Sequence, residues 1–217
     1  MKRLTFLLLF LLGILTAHGQ MFFIETGKLL GSIDYKNSSG ESNTPWTGNI
    51  RNNLGVGYRQ PLFSTPLHVS VEALYNPYFI QGSDKQLGNF FEYDLNCLGT
   101  EIMLDYEFLK PYLGHNDRQG FSFSVMAGGM ADFLVKGTQR INDEVYDLIG
   151  KEEFDKPAVF LKTGAMVNYY LSKNYIVFAR YRFGRSFLIG NYKDQEQLRY
   201  TTHNLNVGLT INLQYKR

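Results

Sequence analysis

What most limits this chain is a two-residue alternation of side-chain character that recurs eight times. At 176–190 the sequence reads IVFARYRFGRSFLIG. Val177, Ala179, Tyr181 and Phe183 share one parity, and Arg180 and Arg182 fall on the other. Successive side chains of a strand point to opposite faces, so one face is apolar and the other carries two fixed charges. Similar alternation runs at about 23–36, 49–60, 66–77, 90–108, 119–136, 158–171 and 201–215. No long amphipathic helical pattern competes with it after residue 20.

The phase within each segment predicts its facing. In the second, Ile50, Leu54, Val56 and Tyr58 oppose Arg51, Asn53, Gly55, Gly57 and Arg59. In the first, Leu29, Gly31, Ile33 and Tyr35 oppose Lys28, Leu30, Ser32 and Asp34. The fourth changes phase: Phe91, Tyr93, Leu95 and Cys97 lie on one parity, and Ile102, Leu104, Tyr106 and Phe108 on the other. A β-bulge near Gly99-Thr100 is the expected device, because one extra residue resets the facing.

The connections also alternate. Those after the first, third, fifth and seventh segments are long and polar, and those between are shorter on average. The chain opens MKRLTFLLLFLLGILTAHGQ, with a basic start, an apolar run from Leu4 to Leu15 and the small-residue site Ala17-His18-Gly19. Residues 1–19 therefore read as a secretory signal peptide and 20–217 as one barrel domain. Lys2 and Arg3 account for the formal charge of +2, so the remainder is neutral and offers no bulk charge for nucleic acid. The single cysteine, Cys97, leaves no internal disulfide.

Export, an even number of antiparallel strands, and long loops opposite short turns predict an all-β, eight-stranded antiparallel up-and-down transmembrane β-barrel of the cell outer membrane. The apolar parity then faces lipid, the polar parity faces the lumen, and the long loops are extracellular. Tyr35, Tyr58, Tyr75, Tyr106, Tyr169, Tyr181 and Tyr215 suit interfacial girdles. A soluble eight-stranded barrel with its apolar face inward is the alternative, and a polar face rich in Gly and Asn weighs against it.

The expected inward charges are Lys28, Arg51, Arg59, Lys162, Arg180 and Arg182, against Glu72, Asp94, Glu101, Asp105 and Asp132. Buried charges must be paired. The proposed lumen network joins Arg180 and Arg182 to Glu72 and Glu101, with Glu101 inward only after the bulge. Of the histidines, His115 falls in a turn, His68 begins a strand, and His203 lies near the long-loop rim, where Thr201, Thr202 and Ser186 are the candidate neighbours. None has serine-hydrolase or metal spacing, so no catalytic residue, cofactor or metal is expected. The acidic stretch 142–156, with Asp143, Glu144, Asp147, Glu152, Glu153 and Asp155, lacks calcium-loop spacing and reads as a solvated loop with one helical turn. Trp46 sits in the first long loop as an interfacial anchor or a partner contact.

The signal ending GQ, LNCLGTEIMLDYEFLKPYL, IVFARYRFGRSF and the closing NLNVGLTINLQY resemble the PorT-like outer-membrane β-barrel family of Bacteroidetes over about 20–217. The chain departs from it at Thr100-Glu101-Ile102-Met103, where Leu-Glu-Ile-Pro is common, and in ending Lys216-Arg217 rather than on an aromatic. The resemblance implies the architecture and, through a few members, secretion or gliding across the outer membrane. The expected role is a non-enzymatic scaffold, surface-contact or secretion-accessory protein of the cell envelope. It would be monomeric, set in lipid and lipopolysaccharide, with a possible envelope protein partner. The alternatives are a conduit or binding barrel for a small solute, and a lipid- or peptide-modifying enzyme.

Overall fold

The computed structural model describes residues 20–36, 47–62, 65–83, 90–108, 120–151, 154, 156–172, 174–187 and 197–213. Residues 1–19, read above as a signal peptide, and His115 and Trp46 lie outside the described residues. The strands are β1 (Met21–Lys36), β2 (Thr47–Asn49), β3 (Arg51–Pro61), β4 (Leu67–Ser83), β5 (Phe90–Phe108), β6 (Gly120–Ile141), β7 (Glu144–Asp147), β8 (Ala158–Tyr170), β9 (Tyr175–Ser186) and β10 (Gln197–Asn212). β2 and β3 pair with β4 in succession and form one wall strand interrupted at Ile50.

All pairings are antiparallel, and they return on themselves. β1 pairs with β3 and β10, β10 with β9, β9 with β8, β8 with β6, β6 with β5, β5 with β4, and β4 with β3. Eight wall strands in this cycle leave no free sheet edge, so every wall strand has hydrogen-bonded neighbours on both sides. β7 stands off the ring as a hairpin arm on the end of β6.

The outer face is apolar over a broad belt. Phe22, Ile24, Leu54, Val56, Val71, Ile102, Leu104, Val125, Leu161, Val177, Leu205 and Val207 are exposed on it. So much exposed aliphatic surface on a closed wall is a surface for acyl chains, as alternation predicts. Towards the long-loop end the belt gives way to polar pairs. Lys28 Nζ donates to Asn52 Oδ1 at 2.6 Å, Tyr75 OH donates to Asn96 Oδ1 at 2.6 Å, and Arg185 lies 4.0 Å from Asp34. Tyr58, Tyr106, Tyr169 and Tyr181 also lie on outward-facing positions. The side chain of Tyr35, and all of Tyr215, lie outside the described part.

Three expectations are corrected. Lys28 is on the outer face, because β1 turns its other parity, Phe23, Glu25, Leu29 and Ile33, into the lumen. Asp94 and Arg51 are half-exposed near the rim, 3.8 Å apart, rather than in the lumen. No bulge occurs at Gly99-Thr100: the β4–β5 ladder runs unbroken there, pairing Leu74 with Gly99 and Ala73 with Thr100. One parity of β5 faces inward from Tyr93 to Glu107. Tyr93, Leu95 and Cys97 bury themselves in the barrel's own upper interior, so no phase reset is needed. The irregularity sits on β6, where Leu134 pairs with Cys97 and Lys136 with Asn96, leaving Val135 over. That extra residue turns Lys136 outward and Gly137 inward.

The acidic link is more ordered than a solvated loop. β6 runs on to Ile141, and a two-residue turn with Asn142 at φ 54° leads into β7. Asn tolerates that left-handed conformation better than most residues, and Asn142 also bonds Phe90 in both directions at 2.9 Å. Beyond β7, Leu148 folds back over the mouth, its N–H donating to Gly137 O at 3.0 Å. The acidic residues Asp143, Glu144 and Asp147 do stay exposed, and Glu152, Glu153 and Asp155 lie outside the described residues.

Candidate functional site

The lumen is filled by side chains in stacked layers. At the short-turn end Arg59 grips Asp105 through two nitrogens, with Nε donating to Oδ2 at 3.2 Å. His68 is buried between two acids, Nδ1 3.6 Å from Asp105 and Nε2 3.8 Å from Glu107. Ser122 Oγ and Tyr170 OH each donate to Glu107 Oε1 at 2.5 Å. Above lies an apolar layer of Phe23, Met103, Met126, Met166 and Phe178.

The third layer is ionic and occupies the middle. β9 offers Arg180 and Arg182 on one face, two residues apart. β4 and β5 offer Glu72 and Glu101, which are direct cross-strand partners. Two carboxylates opposite one another repel. Arg182 resolves this by donating from one terminal nitrogen to both, at 3.0 Å to Glu72 and 2.5 Å to Glu101. Its other terminal nitrogen donates to Glu25 at 2.5 Å. Arg180 pairs with Glu72 and Glu25, and Lys162 Nζ lies 3.1 Å from Glu101. All six side chains are buried, and Arg182 is 0% exposed.

Three bases thus meet three acids in a neutral cluster. In the cycle of strands β9 lies diametrically opposite β4, so the Arg180–Glu72 pair spans the lumen. The planar guanidinium suits this task, since its fixed fork of donors serves several carboxylates at once. Room is made by a glycine: a Cβ on Gly55 would collide with the Glu72 carboxylate. Arg180 also stacks over Phe23 and Phe178, at 5.1 and 5.6 Å from the ring centroids, which ties the ionic layer to the apolar one beneath.

The structure therefore brings together Arg180, Arg182, Glu72 and Glu101, and adds Lys162 and Glu25. Glu25 was missed because its parity on β1 also carries Phe23, Leu29 and Ile33. Charge balance was the available signal, since three central bases need a third acid.

The fourth layer, at the long-loop end, is apolar and aromatic. Leu29, Leu74, Tyr78, Leu95, Cys97, Met130, Phe160 and Tyr200 pack there beneath Leu148 and Phe154. Asp132 is the buried acid of this layer, accepting from Tyr78 OH at 2.5 Å and Asn76 Nδ2 at 2.9 Å. His203 is not part of any such network. It faces outward, its Nδ1 2.7 Å from Tyr181 OH, while Ser186 and Thr202 face the lumen from the other side of the wall.

No family model matches the chain, and no curated protein matches it by sequence. Solved structures do match by shape. OprG of Pseudomonas aeruginosa aligns over 91% of this chain and 98% of its own, at 13% identity and a TM-score of 0.52. A major outer membrane protein of Thermus thermophilus aligns over 89% and 99%, at 11% identity and 0.50. The Escherichia coli outer membrane protease OmpT aligns over 91% and 98%, at 9% identity and 0.52.

The chain has the fold of outer-membrane β-barrel proteins. Its apolar belt fits that location. At these identities the likeness speaks for architecture alone.

Proposed function

We propose that this is a closed, non-enzymatic outer-membrane barrel acting as a scaffold, surface-contact or secretion-accessory protein, with its long-loop end extracellular. The ionic layer carries the reading. Six charged side chains that pair across the lumen, with apolar layers on both sides, favour a plugged interior over a conducting one. A conducting pore also favours an excess of one sign at its constriction, and here the signs balance. The surface left for function is the outer wall and the long-loop end, where the β6–β7 arm exposes Val145, Tyr146 and Ile149. The stretches that resemble PorT-like proteins favour the secretion-accessory form of this role, with an envelope protein as partner.

Catalysis is disfavoured by the opposed facing of Ser186 and His203 and by the burial of His68 between two acids. The test of the closed lumen is conductance of the refolded barrel in planar bilayers. No steps above the bare-bilayer baseline are expected, and reproducible single-channel steps would overturn the reading. Crosslinking on whole cells followed by co-purification tests the partner, and an unchanged lipid A profile in a deletion strain is expected if no lipid is modified.

A further inference from the structure

Three outward side chains on neighbouring strands stand at one height on the wall. Glu25 of β1, Asn206 of β10 and Arg182 of β9 meet in the ionic layer, where Asn206 Nδ2 and Arg182 donate to Glu25 Oε1 at 2.9 and 2.5 Å. Three residues further towards the long-loop end each strand presents its other face, and the residues there are Lys28, His203 and Arg185. The same step from Glu72, Glu101 and Lys162 lands on Tyr75, Leu98 and Val159. The basic row thus belongs to β9, β10 and β1, which are consecutive in the ring. Its height is that of a lipid headgroup. Tyr175, exposed at the short-turn end of β9, is seven residues below Arg182, or about 18 Å on a strand tilted by about 40°. The lipid-facing band of such a barrel is about 25 Å tall, so its upper edge falls about 7 Å above Arg182. Three residues rise about 8 Å, which puts the row at that edge.

The positive charge of the row is not cancelled on the wall. Asp34 is the one acid among the described outward positions of β1, β9 and β10, and it stands directly across from Arg199. Arg185 reaches the same carboxylate only at 4.0 Å, with 54% of its side chain exposed. Lys28 uses one of its three donors on the neutral Asn52. Tyr181 OH lies 2.7 Å from His203 Nδ1, and the Phe183 ring packs edge-on against the imidazole at 5.3 Å between centroids. Among the described residues Nε2 is the ring nitrogen left for a ligand. Below the row the wall is apolar, with Ile24, Leu205 and Val207 exposed. Anionic and acylated chemistry are therefore selected together.

We infer that this row binds the headgroup of a lipid A molecule in the outer leaflet, with one phosphate at Lys28, the other at Arg185, and the disaccharide passing His203. The acyl chains lie below, on Ile24, Leu205 and Val207. Two strand spacings on tilted strands put Lys28 and Arg185 about 13 Å apart along the wall. That span suits a headgroup with a phosphate at each end of a disaccharide and is too wide for a single phosphodiester. A guanidinium or ammonium at the edge of the hydrocarbon pairs with phosphate under less screening than in bulk water. The inference rests on the long-loop end facing the cell exterior, because that is the leaflet that carries lipid A.

The test is native mass spectrometry of the folded barrel in an uncharged maltoside detergent, with bisphosphorylated lipid A, the same lipid stripped of both phosphates, and phosphatidylglycerol as probes. Lipid A is expected to bind at least about tenfold more tightly than either of the others. Lys28→Ala and Arg185→Ala should each weaken it about fivefold, and the pair about twentyfold. Arg140→Ala removes an exposed charge from the long-loop arm and should leave lipid A binding unchanged. Equal binding of lipid A and its dephosphorylated form overturns the site, as does a loss for Arg140→Ala equal to that for Lys28→Ala and Arg185→Ala. Displacement of lipid A by millimolar inorganic phosphate would make the ligand a free anion and overturn the lipid assignment. The comparison among lipids needs only the native chain, so it stands even where a variant fails to fold. Orientation is read separately, by labelling Tyr146→Cys on intact cells with a membrane-impermeant maleimide. Labelling is expected, and unlabelled cells would put the row in the other leaflet and overturn lipid A as its ligand.

Discussion

The ionic layer and the apolar layer above it are built from the same strands, a few residues apart, yet solve burial in opposite ways. On β5 the step from Glu101 to Cys97 crosses from one to the other, and on β4 the step from Glu72 to Leu74 does so. In the ionic layer each group depends on specific partners across the lumen, because a charge in a low-dielectric interior is tolerated only with its counter-charge in place. In the apolar layer the requirement is volume and shape, and the partners are interchangeable within limits. One layer fixes how the strands are placed around the ring, and the other fills what they enclose. Asp132 is the one acid of the upper apolar layer among the described residues, and Tyr78 and Asn76 hold it by hydrogen bonds.

The contrast is broken most directly at Arg182, which touches all three glutamates. Arg182→Ala should cost about 3–5 kcal/mol, most of it from stranding Glu25, Glu72 and Glu101. Adding Glu101→Ala should give back part of that loss. The measure is a double-mutant cycle on unfolding of the barrel in detergent, and strictly additive losses would show that the cluster is hydrated rather than paired. Arg180 with Glu101 should come close to additive by comparison, since Arg180 pairs with Glu25 and Glu72 instead.

Phe160→Ala probes the apolar layer and should cost about 3 kcal/mol through the cavity it leaves. No second substitution in the ionic layer should rescue it. Combined with Phe178→Ala, from the lower apolar layer, the losses should add to within about 0.5 kcal/mol, as for separate sites. A strong coupling between the two would mean that the layers repack as one body. The smallest effect belongs to Lys28→Ala. Lys28 is exposed on the outer face with Asn52 as its partner, so unfolding free energy should move by no more than about 0.5 kcal/mol. A loss of the Arg182 size would return Lys28 to the lumen, where its parity had first placed it.

Much of the wall was legible in the sequence. From Arg51 to Arg59, from Leu67 to Ala73, from Ala179 to Phe183 and from Leu205 to Ile211, polar alternates with apolar so sharply that only one facing is consistent with lipid outside. The failures share one cause. In β1 and in the upper half of β5, apolar residues on the lumen parity coincide with a charge, Lys28 or Asp94, on the other. A rule that sends apolar residues to lipid then inverts the first strand and invents a bulge in the second. The candidate site divides the same way. Arg180, Arg182, Glu72 and Glu101 were readable as inward charges, whereas Glu25 was hidden among apolar neighbours and the arm that carries Leu148 over the mouth had no local signal.

The sequence by itself determined the period of two, the number of wall strands and the side of most of them, because the alternation of a strand's faces is set by the backbone of each residue and needs nothing distant. The tertiary structure alone decided which guanidinium meets which carboxylate, where the lumen turns from ionic to aromatic, and that Asp132 meets Tyr78 and Asn76. Those outcomes depend on how strands far apart in the chain are staggered around a closed ring. Closure also gives an apolar side chain two dry environments to choose from, lipid outside and its own kind within, and local alternation cannot tell them apart.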